Sequence, residues 1–246
     1  MRIACLLFGM LILFSCRQEG KRIPENFIVP EEQSPALPAI DADRKIYRGL
    51  FVAGKRMKSF KRCESPDVKY YVIDSTFQMD ELYQTIFLNS PAFPYEYVYT
   101  EVRGEVVAAP EPAALQGFDS ALVVYETLTF EQKNYRNTCI PYDFWALGTT
   151  PSWSLQVSAK EGILALKDYD NNMVYLFEYF APKVVNDEVF TYYSNNYANQ
   201  TAISAIFKKA SCSESPTDNA YSYTATIVVN GKRYSGCAIR KSEENQ

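Results

Sequence analysis

The chain contains no histidine. That absence excludes Ser-His-Asp and Cys-His catalysis, HExxH metalloprotease sites and His-ligated zinc or copper. It has no CxxC pair, and beyond the first residues its methionines, Met57, Met79 and Met173, are scattered. Soft metals need clustered thiolates or thioethers, so no metal and no cofactor is expected. Basic residues are outnumbered, 25 against 29 acidic, for a net charge of −4. A nucleic-acid partner requires a basic face, so none is expected. Helix-period runs are few. The longest apolar run, Ile3 to Phe14, falls short of the roughly 20 residues of a spanning helix.

What is present at the start has a definite layout. Arg2 precedes the apolar run, Ser15 closes it, and polar residues begin at Arg17. This is the pattern of a secretory signal peptide over residues 1–15. Leu13-Phe14-Ser15-Cys16 resembles a bacterial lipobox. The resemblance implies a diacylglyceryl group and further acylation, such as palmitate, on Cys16 after cleavage. Two or three acyl chains anchor stably where one does not. The implied partner is therefore a membrane. Arg17 and Gln18, with no Asp, resemble the outer-membrane sorting pattern of Gram-negative lipoproteins. Localisation in the bacterial cell envelope, at the outer membrane, is the expectation.

Residues 16–43 follow as the lipidated cysteine and a tether rich in proline and acids, which when extended reaches up to about 80 Å. The chain beyond Cys16 is about 230 residues, room for one large or two small domains. At 47% hydrophobic, with 19 Tyr and 15 Phe, it is globular and expected to be mainly β.

Residues 44–139 read as the first domain. Strands are expected near 47–52, 57–62 and 69–73, then a helix in DSTFQMDELYQTIFL. Ser75 and Gln78 match a capping box. Met79, Leu82, Ile86 and Phe87 give the helix an apolar face. Two more strands follow: one in which Val98, Thr100 and Val102 alternate with Tyr97, Tyr99, Glu101 and Arg103, and one in ALVVYETLTF. Three strands, one helix and two strands is the order of an OB-type barrel. Tyr47, Phe51, Phe60, Tyr71 and Tyr99 are expected to fill or cover it.

Residues 140–241 read as a second small antiparallel β-barrel or sandwich, with residues 242–246 as a tail. Gly148 and Pro151 bracket a turn flanked by Trp145 and Trp153. A hairpin turns at Asp170-Asn171, and another at Asn230-Gly231, the preferred type I′ pair. Asp168, Asp170 and Asn172 alternate as at the start of a calcium loop, but Met173 stands where glycine is required and Tyr179 where glutamate is. A plain turn is expected. FTYYSNNYANQ, residues 190–200, reads as a loop: Tyr192, Tyr193, Asn195, Asn196 and Tyr197 combine rigid aromatic area with adaptable amides. They are the candidate contacts for a glycan or an envelope protein.

Four cysteines lie beyond Cys16: Cys63, Cys139, Cys212 and Cys237. In an exported chain they imply disulfides, with three connectivities open.

Two stretches bear a family resemblance. IYRGLFVAGKRMKSFKRC, the helix, and PYEYVYTEVRGEV resemble the C-terminal OB domain of the outer-membrane lipoprotein NlpE. That likeness implies a role in envelope-stress or surface sensing. It also implies a Cys63–Cys139 disulfide, because the family pairs an early-strand cysteine with one just after the barrel. The copper-associated NlpE domain with its CxxC has no counterpart. Gly148-Thr149-Thr150-Pro151-Ser152-Trp153 and Gly236-Cys237-Ala238 resemble the GTEPFW-like opening and GCA ending of an uncharacterised bacterial lipoprotein domain. Thr150 and Ser152 replace its Glu and Phe. Cys212 and Cys237, left over, flank the last hairpin.

The function expected from all this is a lipid-anchored, non-enzymatic binding or sensing module. A structural or adhesive surface lipoprotein is the alternative. A carboxylate-based enzyme acting on cell-wall glycan is the least favoured, since no catalytic motif appears.

Overall fold

The computed structural model describes residues 44–54, 57–214 and 221–241. The signal peptide, Cys16, the tether and the tail lie outside the described residues. The protein is mainly β, and the described residues belong to one compact unit.

The first half is a closed five-stranded barrel. Its strands are β1 (Lys45–Ala53), β2 (Lys58–Arg62), β3 (Ser65–Asp74), β4 (Val98–Ala108) and β5 (Ser120–Gln132). Their order is β1-β2-β3-β5-β4, with β1 and β4 closing the ring. β3 and β5 run parallel and all other pairs antiparallel, which is the OB arrangement. Val98, Thr100 and Val102 point inward as their alternation requires. Tyr47, Phe51 and Phe60 fill the interior, while Tyr71 and Tyr99 are half-buried over it.

Helix α1 (Met79–Phe87) closes one end of the barrel. Met79 is fully buried, and the Phe51 and Tyr83 rings meet edge-on at 5.9 Å. The helix starts at Met79, where its apolar spacing begins, but the Ser75–Gln78 capping box does not form. Phe77 adopts a left-handed φ of 58° and turns the chain, which moves the cap position to Gln78. Asp74 does the capping from further back. Its carboxylate accepts from the Thr76 amide at 3.0 Å, the Thr76 hydroxyl at 2.6 Å and the Met79 amide at 3.0 Å. A second helix, the single turn α2 (Glu111–Ala114), adds to the one expected.

The second half is one nine-stranded antiparallel sheet. Its strands are β6 (Phe144–Thr149), β7 (Ser152–Ser158), β8 (Ile163–Asp168), β9 (Met173–Glu178), β10 (Lys183–Val185), β11 (Val189–Asn196), β12 (Thr201–Cys212), β13 (Tyr221–Val229) and β14 (Lys232–Arg240). The order is β10-β11-β12-β13-β14-β6-β7-β8-β9. The sheet curls until β9 faces β11, and side chains close the seam. Asn196 donates to the Leu176 carbonyl at 2.9 Å, and Ser194 to that of Glu178 at 2.7 Å. Inside, Phe144 stacks on Phe207 at 4.2 Å and meets Phe190 and Tyr223 at 5.2 and 5.1 Å. Such aromatic contacts add about 0.5–1.5 kcal/mol each beyond their burial. The Asn230-Gly231 turn forms with both φ values positive, 48° and 84°.

Both disulfides are present: Cys63–Cys139 with Cα atoms 4.7 Å apart, and Cys212–Cys237 at 5.5 Å. The first ties the β2–β3 turn to the segment between barrel and sheet. The second links β12 to β14 past the intervening β13.

Candidate functional site

The residues picked out between 190 and 200 do not form a loop. Residues 189–196 are strand β11, paired along its length with β12, and only 197–200 make a turn. Phe190, Tyr192 and Ser194 alternate inward, so the sequence is a strand whose polar letters close the seam. Tyr192 is 2% exposed and packs on Phe144 and Phe207, which removes it from any contact surface. Asn196 is committed to the Leu176 carbonyl. Tyr193, Asn195 and Tyr197 do face solvent.

The acid pattern at 168–172 is a turn, and it is not open for a metal. Asp168 points into the sheet's interior. It accepts from the Tyr234 hydroxyl at 2.8 Å, from Lys232 at 2.5 Å and from the Asn171 side chain at 2.9 Å. Burial alone would raise its pKa, but these hydrogen bonds outweigh it and hold the carboxyl below its usual range. Burial, followed by the bond to Asp168, pushes Tyr234 up to about 12. Among the described residues no group of three acids or cysteines is placed to hold a metal.

The stretches Gly148–Trp153 and Gly236–Ala238 turn out to be neighbours. β14 pairs with β6, and β6 with β7, so Cys237 lies opposite Leu147 and Gly148 opposite Trp153. The Trp153 indole donates to the Ser235 carbonyl at 3.3 Å. A Cβ on Gly148 would sit 2.2 Å from that indole nitrogen. These residues are matched to one another by packing, which accounts for their spacing without invoking chemistry.

The polar centre of the molecule lies where the barrel covers the outer face of β6–β8. Core residues such as Phe144, Leu155 and Leu166 alternate with Trp145, Gln156 and Lys167, which in a free sheet would meet water. Here those three are 7%, 5% and 6% exposed. Phe93 and Glu96, from the segment between α1 and β4, and Lys133, just after β5, lie over them around a cavity of about 20 Å³. Glu96 pairs with Lys167. Lys133 pairs with both oxygens of Glu161 at 2.9 and 3.1 Å, and Gln156 also donates to Glu161. Glu96 is held by its neighbours too: the Phe93 amide donates to its carboxylate at 3.2 Å, and Tyr83 donates to its carbonyl at 2.7 Å. Burial pushes Glu96 up and Lys167 down, each toward its neutral form, against their mutual attraction.

Beside this polar centre opens a cleft of about 350 Å³ between barrel and sheet. Phe93, Pro94 and Tyr95 form one wall, Tyr97 and Lys61 come from the barrel, and Ile163 and Leu176 come from the sheet. Lys160 bridges its rim to Asp67 at 2.9 Å. The volume falls in the range of small-molecule sites, which concentrate where two substructures meet. Sequence reasoning missed this site. The neighbouring polar centre has one linear signal, Lys167, a charge placed inside the apolar strand ILALKD.

In comparison with known proteins, the chain matches no family model, no curated protein and no solved structure.

Proposed function

We propose that this protein is a non-enzymatic binding module of the bacterial envelope, anchored by acyl chains on Cys16, and that its ligand enters the cleft between barrel and sheet. The cleft is the observation that carries the reading: about 350 Å³, with aromatic walls from Phe93, Tyr95 and Tyr97 and charged residues at its rim. The two disulfides support the compartment, since such bridges persist in oxidising surroundings outside the cytosol. The resemblance of the barrel to that of NlpE supports a role in envelope-stress or surface sensing.

Two experiments test this. Mass spectrometry of the native protein is expected to find the N-terminal peptide carrying acyl chains on Cys16; an unmodified Cys16 overturns the anchor. A p-benzoylphenylalanine photocrosslinker at Tyr95, in cells, is expected to give an adduct that the same group at Leu128 does not. Tyr95 is 68% exposed on the cleft wall, and Leu128, on β5, is 38% exposed. Equal labelling from the two positions overturns the cleft as the binding site.

A further inference from the structure

We propose that the cleft takes an amphipathic organic anion: a carboxylate or phosphate group held by Lys61 and Lys69, and an apolar body lying against Tyr97 and Phe93. This rests on the cleft being the binding site.

The register of the barrel carries the inference. β2 and β3 place Lys61 directly opposite Lys69. Their neighbours Phe60 and Tyr70, also opposite each other, point into the barrel, so both lysines project from its outer surface. Like charges directly opposite on a sheet repel and destabilise it. The other charged side chains around the cleft are matched: Lys160 with Asp67, and Lys133 with Glu161, each at 2.9 Å. Among the described residues neither Lys61 nor Lys69 has a carboxylate within ion-pair distance. Asp67 is near enough to feel Lys61, but its hydrogen bond goes to Lys160. An otherwise acidic chain of net charge −4 therefore keeps two adjacent cations without an ion-pair partner beside one cleft, Lys61 in its lining and Lys69 next to it on the neighbouring strand.

Tyr97 links these cations to the apolar part of the site. The Lys61 ammonium stands 4.9 Å from the centre of its ring, and the Lys69 charge acts on its phenol. A ligand group entering between the lysines lies beside this ring. Phe93, Pro94, Ile163 and Leu176 supply the apolar surface of the cleft. Two cations match one anionic group, not a polyanion. This apolar surface does not suit a free inorganic ion, whose hydration it could not replace.

The test uses the full-length chain in detergent and a matched pair of fluorescent probes. 1-Anilinonaphthalene-8-sulfonate carries an anionic group on an aromatic body, and N-phenyl-1-naphthylamine is the same body without charge. The anionic probe is expected to bind about tenfold more tightly or better, a difference of about 1.4 kcal/mol. The Lys61→Gln/Lys69→Gln variant is expected to lose that preference and to unfold at the same or a higher temperature, because the repulsion is gone. Equal affinity for the two probes, or a preference that survives in the variant, overturns the proposal. Benzoate and phenyl phosphate then compete for the site. Displacement by either supports the proposal and identifies the anionic group; displacement by neither overturns it. The broader reading fails separately: if Tyr97→Ala leaves the binding of both probes unchanged, the cleft is not the site at all.

Discussion

Lys167 on β8 and Glu96 ahead of β4 form an ion pair across the junction of barrel and sheet, with side chains 8% and 3% exposed. The rings of Phe87 and Phe93 stand 5.6 and 5.9 Å from the lysine nitrogen, so the pair sits among apolar groups rather than in water. Desolvating two charges costs several kcal/mol per ion, and only their mutual attraction and added hydrogen bonds offset it.

Removing one partner therefore does more harm than removing both. Lys167→Met or Glu96→Leu alone leaves an uncompensated buried charge and is expected to cost about 3–5 kcal/mol. The double variant is expected to recover most of that loss. Urea denaturation of the four proteins in a double-mutant cycle measures it. Additive losses would mean that the two side chains are not coupled.

Asp168 sets an acid dependence. Its pKa is held below the ordinary value by Lys232, Tyr234 and Asn171, against the effect of burial. The unfolded chain therefore binds the proton first as pH falls. The stabilisation is fully present above the unfolded carboxylate pKa of about 3.9, and is lost as pH falls through the lower folded value. Asp168→Asn is expected to be clearly less stable than wild type at pH 7, with the difference shrinking steadily below about pH 4. A pH series of denaturant midpoints measures this. A constant difference across the series would show that the lost hydrogen bonds, not the charge, account for the effect.

How far the sequence reaches is clear from particular residues. The strands announce themselves because their periodicity is local: Val98, Thr100 and Val102 alternate inward whatever lies beyond, and Asn230-Gly231 specifies its turn unaided. The stretch 190–200 misleads because Ser194 and Asn196 look like loop residues, yet they satisfy carbonyls of β9, a strand remote in sequence. The buried polar centre between barrel and sheet is invisible for a related reason. Trp145, Gln156 and Lys167 stand at outward positions of an amphipathic sheet. Only the docking of the barrel, which no local pattern encodes, turns that face into an interior. Helix α1 stands between these cases. Its apolar face is legible, but its start depends on Asp74 and on the positive φ of Phe77, neither of which matches a capping motif.

Gly148 is expected to tolerate no side chain. A Cβ there would meet the Trp153 indole nitrogen at 2.2 Å and the Ser235 carbonyl at 2.8 Å. Gly148→Ala is expected to destabilise by about 1–3 kcal/mol through overpacking. The near-ultraviolet circular dichroism of the tryptophans should change with it, because Trp153 has to leave its place against Tyr234. An unchanged spectrum and midpoint would mean that the β6–β7 turn can shift aside.

The two disulfides should separate by loop length. Cys63 and Cys139 are 76 residues apart, and Cys212 and Cys237 are 25 apart. In the chain-entropy account the longer loop restrains the unfolded chain more, giving about 4–5 kcal/mol for the first bridge against about 3–4 for the second. Serine at both positions of each pair, followed by equilibrium denaturation, compares them. The bridges also act in different places. Cys212–Cys237 lies within the sheet, whereas Cys63–Cys139 holds the β2–β3 turn to the segment that leads into β6. Pro66 and Asp67, just beyond that turn, line the cleft, as does Ile140 beside Cys139. The first double variant is therefore expected to weaken cleft binding of the anionic probe under conditions where the protein stays folded, and the second is not. Equal effects on binding would mean that the cleft is held by the packing of barrel on sheet alone.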